Sequence, residues 1–237
     1  MKTIDAIAEI LKREGVEFLS CFPTTPVIEA AAGAGIRPII CRQERVGVGI
    51  ADGYGRVTNG EKPAVFAMQY GPGAENAYAG VATAYSDSTP LLLLPLGHPS
   101  DRQGVFPLFS SITNYAGVTK HIEQINSADK TSAVMRRAFA ALYQGRPGPV
   151  MVEIPADIAL QEVGEESFFW SKKVRHAGSQ GDPRDVETAA RALCDAKYPI
   201  IHAGQGVLAA QATNELVELA ELLSVPVMST LLGKSGF

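Results

Sequence analysis

The chain is poor in the features that assign a protein quickly. Only three cysteines occur, Cys21, Cys41 and Cys194, far apart and without a CxxC pair. A zinc site or a disulfide framework is therefore not expected. Reduced, mostly buried thiols in a cytoplasmic protein fit that usage. Charged residues make up 19% of the chain, the net charge is −4, and no basic stripe stands out. Nucleic acid is not an expected partner. The N-terminus runs Met1-Lys2-Thr3-Ile4-Asp5, with Glu9 and Glu14 following, which lacks the order of a secretory signal. The longest apolar run, Leu91 to Leu94 with Pro95 and Leu96, is far short of a bilayer span, so no membrane partner is expected. What is plentiful is core material: 46% of the 237 residues are hydrophobic, enough for one or two domains.

Ile4, Ile7, Ala8 and Leu11 recur at helical spacing, with Thr3 as a cap and Gly15 after the last turn. Strands are read at 16–22, 37–41, 64–69, 90–96 and 149–154. Between them lie helical stretches at 27–34, 44–57, 74–85 and 128–143. Such alternation predicts an α/β fold with a parallel sheet and helices on both faces. The continuously apolar fourth strand agrees, because it must be covered on both sides. Residues 97–125 are rich in Pro, Gly, Ser and Asn and carry no clear element. Loops of that length are usually functional. Composition shifts after Pro155, and the charged, aperiodic stretch from Glu162 to Asp182 reads as a linker. A helix at 185–195, a strand at 199–203, a loop with Gly204 and Gly206, a helix at 209–223 and a strand at 226–229 follow. The expected division is a domain over 1–160, a linker over 161–183, and the incomplete start of a second, Rossmann-like α/β domain over 184–237. Two strands are too few to bury a core of their own.

Ligands of open parallel sheets bind beyond the C-terminal ends of the strands. That rule selects the loops Cys21 to Pro26, Arg42 to Glu44, Tyr70 to Asn76 and Gly97 to Phe109. Each has a plain structural reading. Glu44 is a first-turn acid stabilised by the helix dipole. Gly71-Pro72-Gly73 is a tight strand-to-helix turn. Asp52-Gly53-Tyr54-Gly55-Arg56 would hold a salt bridge and an aromatic contact. Gly47, Gly49, Gly53 and Gly55 weaken their helix and point to the close approach of another backbone or of a ligand. His98, just past the fourth strand, has a pKa range suited to acid–base chemistry, although an isolated loop histidine is more often neither catalyst nor ligand. His121 is read the same way. His202, in an apolar strand, is expected to be a hydrogen-bonded core residue.

Taken in order, the motifs are harder to dismiss. Arg42-Gln43-Glu44, then Ala51 to Arg56, Gly71-Pro72-Gly73-Ala74-Glu75-Asn76 and Ala84 to Pro90 resemble the pyrimidine-binding domain of thiamine diphosphate-dependent enzymes of the acetolactate synthase and 2-oxo acid decarboxylase type. Gly145 to Val150, with Glu153-Ile154-Pro155, resembles the end of that domain. Tyr198 to Val207 and Leu231-Leu232-Gly233-Lys234 resemble the start of the family's central domain. The resemblance covers nearly the whole chain. It implies that Glu44 hydrogen-bonds N1′ of the cofactor's aminopyrimidine and favours the imino tautomer, which removes the thiazolium proton. The cofactor then acts as an electron sink in decarboxylation or carboligation of a 2-oxo acid. A carboxylate partly buried beside Val46 and Ile50 suits proton sharing, because burial disfavours its charged form. The resemblance also implies cofactor contacts at Pro23, Thr24, Gly71, Pro72, Gly73 and Asn76. Substrate contacts would come from Thr25, His98, Phe106 and Lys120. Two departures alter the substrate-facing corner and leave the cofactor assignment intact. The family's Gly-x-Pro-Gly-Gly loop reads Cys21-Phe22-Pro23-Thr24-Thr25, and its Phe-Gln pair reads Phe106-Pro107.

Thiamine diphosphate also needs Mg²⁺, bound in this family by a Gly-Asp-Gly stretch on a C-terminal domain. Asp52-Gly53 and Gly181-Asp182-Pro183 are the nearest strings, and no metal ligand is assigned in this chain. The expected partners are a small 2-oxo acid, and either further copies in a homo-dimer or tetramer or a partner chain bearing the diphosphate-binding domain. The chain alone is expected to be inactive. Gln205-Gly206 is where a nucleotide would approach, which leaves FAD undecided. Two other readings are a non-catalytic α/β subunit binding a nucleotide or flavin, and a regulatory subunit using the domain for assembly. Neither requires Glu44 at the end of the second strand.

Overall fold

The computed structural model describes residues 1–23, 26–170 and 180–237. The chain divides into two compact units, Met1–Arg175 and His176–Phe237.

In the first unit the order is α1 (Thr3–Arg13), β1 (Phe18–Cys21), α2 (Pro26–Gly33), β2 (Arg37–Ile40), α3 (Glu44–Val57), β3 (Val65–Met68), α4 (Pro72–Ser86), β4 (Leu92–Gly97), α5 (Ser111–Tyr115), β5 (His121–Gln124), α6 (Thr131–Tyr143), β6 (Val150–Pro155) and α7 (Ala156–Ala159). The strands form one six-stranded sheet, β2-β1-β3-β4-β6-β5, parallel throughout. Alternation along the central strands sorts the core into two layers. Val65, Ala67, Leu92, Leu94, Val150 and Val152 meet α1, α2 and α6 on one face. Phe66, Met68, Leu91, Leu93 and Met151 meet α3, α4 and Tyr115 on the other. Pro38 keeps the outer edge at β2 from offering a full row of hydrogen-bonding groups.

Five strands were expected in this sheet, and it has six among the described residues. The 97–125 segment contains α5 and the edge strand β5. His121-Ile122-Glu123-Gln124 carries one aliphatic residue, and all four are only half-buried. Its pairing with β6, not its composition, makes it a strand. Thr3 is the first helical residue of α1 and not its cap. Its hydroxyl donates to the Gln161 carbonyl (3.2 Å), while Asp5 accepts from the Lys2 N–H (3.1 Å). The 161–183 stretch is not all linker. Val163 is buried against Ala6 and Ala128, and Trp170 Nε1 donates to Glu14 (3.0 Å). Residues 171–179 of that stretch lie outside the described residues.

The second unit runs α8 (Pro183–Asp195), β7 (Ile201–Ala203), α9 (Gln205–Ala209), α10 (Thr213–Leu223) and β8 (Val227–Ser229), with β7 and β8 parallel. Gln205–Ala209 is helical where a loop was expected, and the next helix starts at Thr213. His202 is exposed, not core, because the two-stranded sheet leaves that face uncovered. No residue of α8 is buried, as the size of this unit leads one to expect.

Candidate active site

The chain order places β1 in the middle of a reversal. From β1 it moves outward to β2, then back across to β3. Loops leaving β1 and β3 therefore depart to opposite faces and open a crevice at their C-terminal ends, the usual ligand position in such sheets. Phe22-Pro23 leaves β1 there, Gln69 to Gly71 leaves β3, and Glu44 opens α3 beside them.

Glu44 is only 5% exposed. Asn76, one turn into α4, donates from Nδ2 to Glu44 Oε2 at 2.6 Å. Oε1 lies on the Gly73 side, 3.2 Å from where a Gly73 side chain would begin. The Gly-Pro-Gly turn follows from three separate demands. Gly71 has φ +59°, which side-chain-bearing residues rarely adopt. Pro72 begins α4, where its missing N–H has no intrahelical partner to lose. Gly73 must stay bare, because a Cβ would stand 2.6 Å from Gln69 Cγ. Helix α4 accordingly starts at Pro72, two residues before the expected Ala74. Tyr115 pins this turn from below, its buried hydroxyl donating to the Ala74 carbonyl at 2.6 Å.

The apolar surroundings expected for Glu44 differ in detail. Val46 is 52% exposed and Ile50 half-buried, so Gly73 and Asn76 in the first turns of α4, not Val46, enclose the carboxylate. The glycine-rich α3 does bring backbones together. A Cβ on Gly47 would strike Phe66 and Cys41, and the Gly47 carbonyl accepts from Ser20 Oγ at 2.7 Å. Asp52 to Arg56 is a structural brace. Arg56 joins Asp52 (2.8 Å) and Asp87 (2.8 Å), and the Tyr54 ring packs edge-on against Phe18.

Of the residues expected at the site, Glu44, Gly71, Pro72, Gly73 and Asn76 come together, with Pro23 on the same sheet edge. Thr24 and Thr25 lie outside the described residues. Phe106 is 94% exposed on the loop after β4. Lys120 precedes β5, at the opposite end of the parallel sheet from Glu44, with its ammonium on the Gln144 carbonyl. Burial lowers its pKa. The His98 ring packs at a tilt of 43° against Tyr70, the residue before Gly71, with ring centroids 4.5 Å apart. It also lines a separate cavity of about 180 Å³ with Leu108, Phe109, Ile112, Gln124 and Glu153.

Gln124 and Glu153 were not singled out from the sequence. The available signal was the strand Val150-Met151-Val152-Glu153-Ile154, where a glutamate interrupts an otherwise apolar buried run. Glu153 is 6% exposed. It accepts from Gln124 Nε2, and desolvation raises its pKa despite hydrogen bonds from Gln124 and Ser111 and the nearby His98. Among the described residues, no group of three or more His, Cys, Asp or Glu is placed to hold a metal ion, and no helix is long and apolar enough to cross a membrane.

Comparison with known proteins places the chain in a family. Residues 1–133 match the N-terminal TPP binding domain of thiamine pyrophosphate enzymes, and residues 186–237 match their central domain. The probable acetolactate synthase large subunit of Methanocaldococcus jannaschii is 32% identical over 246 aligned positions, covering 100% of this chain and 41% of that protein. That of Methanococcus aeolicus is 34% identical, covering 99% and 40%. The acetolactate synthase isozyme 3 large subunit of Escherichia coli K12 is 32% identical, covering 86% and 36%. The chain thus spans about two fifths of the length of these curated relatives.

Proposed function

The chain belongs to the thiamine pyrophosphate enzymes, and from that premise we propose that it supplies the pyrimidine-binding half of an active site acting on 2-oxo acids, with Glu44 as the activating carboxylate. One observation carries the reading. A buried carboxylate stands at the sheet's switch point, its Oε2 held by Asn76, beside a turn kept bare at Gly73. Thiamine diphosphate, when bound, supplies the electron sink for cleavage or formation of the bond next to the substrate carbonyl.

Glu44 would hold or share a proton with a ring nitrogen of the bound cofactor. Asn76 fixes the orientation of the carboxylate, so that Oε1 faces the Gly71–Gly73 turn. Pro23, which follows β1, would meet the cofactor from that side. The donor set, one carboxylate and one amide, suits a ring nitrogen. It does not suit Mg²⁺, which takes near-octahedral oxygen ligands. Mg²⁺ and the diphosphate end are therefore assigned to residues beyond this chain, on a further domain or a partner. The proposed assembly is a homo-oligomer or a complex with such a partner. A cytoplasmic location is proposed from the reduced, buried Cys21 and Cys41. The relatives' names favour this enzyme reading over a non-catalytic nucleotide- or flavin-binding subunit. Nothing at Gln205-Gly206, which open the short helix α9, favours FAD.

The test is Glu44→Gln in the full-length protein with thiamine diphosphate and Mg²⁺. Decarboxylation of pyruvate and longer 2-oxo acids should fall by about 10²–10⁴-fold, the range for losing a positioned acid–base group. Undiminished turnover in that variant would overturn the role of Glu44.

A further inference from the structure

The sheet has a second reversal. The chain leaves β4, crosses over β6 to the edge strand β5, and returns through α6 to form β6 between them. The segment after β4 passes to the layer holding Tyr115, while the helix after β5 lies in the layer with α1. The two connections separate over the C-terminal end of β6, which makes a second crevice by the same rule that places the Glu44 site. Its floor is polar against the pattern of the strand. Met151 faces the α3–α4 layer, and Glu153, two residues on, faces the same way. Gln124 is its register partner on β5. Gly97 must be a glycine here, since a Cβ would stand 2.8 Å from Glu153 Cγ. His98 overhangs the crevice, and its Nε2 is buried without a hydrogen-bond partner. Leu108, Phe109 and Ile112 supply apolar walls, and Gln103, Gly104 and Ser110 complete the rim.

We infer that this crevice is a binding site for a neutral hydrogen-bonding group, a carboxamide or hydroxyl on a short hydrocarbon stem, and that it receives the far end of the 2-oxo acid substrate. The inference rests on the proposed function for its choice of substrate. The chemistry follows from the lining. A second carboxylate would be repelled by Glu153. A cation would gain one carboxylate, but the rest of the lining is the imidazole, the neutral side chains of Gln103, Ser110 and Gln124, and apolar Leu108, Phe109 and Ile112, with no second anion. A carboxamide offers donors to Glu153 and an acceptor to the Gln124 amide or to a His98 N–H, so Nε2 is no longer unpaired. The volume suits this, since a dry cavity of about 150 Å³ is known to hold a benzene-sized molecule. The tilted contact of His98 with Tyr70 joins the crevice to the Gly71 turn, so the occupant would lie beside that turn and not on a remote face. Pockets that fix orientation with few polar groups among apolar walls are the usual form of small-molecule sites.

Two measurements on the full-length, cofactor-loaded protein test this. The first uses saturation-transfer NMR with butyramide, 1-butanol, butyrate and butylammonium. Butyramide and butanol should show contact that is lost in Gln124→Leu and in His98→Phe and retained in Glu153→Gln. The second compares kcat/KM for a 2-oxo acid ending in a carboxamide with its isopropyl-ended isostere. The carboxamide should be preferred by about tenfold, and Gln124→Leu should reverse the preference. Contact by none of the probes, leaving water as the only occupant, overturns the inference. So does preferential binding of butylammonium that disappears in Glu153→Gln. Turnover of 2-oxo acids without discrimination between the two tails overturns the crevice assignment and leaves the proposed function standing. Butyramide binding with no turnover of any 2-oxo acid overturns the proposed function, and with it the assignment of the crevice to a substrate tail. Circular dichroism of each variant separates these results from misfolding.

Discussion

Replacing Gly73 by alanine tests the reason given for the Gly-Pro-Gly turn. The added methyl would stand 2.6 Å from Gln69 Cγ and 3.2 Å from Glu44 Oε1. Carbon atoms settle at about 3.5–4.0 Å, so Gln69 must retreat by about 1 Å. Gln69 is itself engaged and leads directly into the turn, which limits how freely it moves. Overpacking of this kind costs about 1–3 kcal/mol. Alanine returns about 1 kcal/mol of helix propensity. The net expectation is a loss of about 1 kcal/mol, with weaker thiamine diphosphate binding because Oε1 is displaced. Gly33→Ala is the matched control. Gly33 ends α2, and a Cβ there meets nothing within 4 Å, so the same change should stabilise by a few tenths of a kcal/mol, up to about 0.5. Urea unfolding followed by circular dichroism gives both values from the midpoint and slope, and calorimetric titration gives the cofactor affinity. If the two variants are equally stable and bind cofactor equally well, the close approach at Gly73 is not what the turn requires.

Three further outcomes follow from the same contacts. Tyr115→Phe leaves the buried Ala74 carbonyl without its hydroxyl donor and should cost about 1–2 kcal/mol in chemical denaturation. Arg56→Met removes the half-buried link between Asp52 and Asp87. It should lower stability by about 1 kcal/mol at low salt, and by less as ionic strength rises. Glu153 has a folded-state pKa raised above the ordinary 4.5 by desolvation. Its protonated form is favoured in the native state, so its contribution is complete below 4.5 and is lost as pH rises through the raised value. Glu153→Gln lacks that loss. The Tm of the variant minus that of the parent should therefore grow as pH increases from about 4.5, and a difference independent of pH would contradict the desolvation.

Most of the first sheet was legible because its strands announce themselves. Leu91 to Leu94 and Val150 to Val152 are continuous apolar runs, and only burial on both faces accommodates them. The turn beside Glu44 was legible because its residues have local demands, while the cofactor role proposed for them came only through the family resemblance. Gly71 needs a positive φ, Pro72 suits a helix start, and Glu44 follows a strand end. Strand β5 was not legible, since His121, Glu123 and Gln124 have no strand signature and are held in place by β6. The surroundings of Glu44 were misjudged for a related reason. Val46 is two residues away in sequence, but the helix turns it outward, while Asn76, 32 positions away, reaches the carboxylate.

The sequence alone therefore determined the alternation of elements, the parallel sheet, and the identity of the buried carboxylate at a strand end. Periodicity and chain-local geometry encode those features within a few residues. The tertiary structure alone decided the strand order, and hence the two crevices. It also decided the meeting of Glu44 with Asn76 and the grouping of Gln124, Glu153 and His98. These depend on which strands become neighbours, which is set by packing summed over the whole sheet and leaves no mark at any single position.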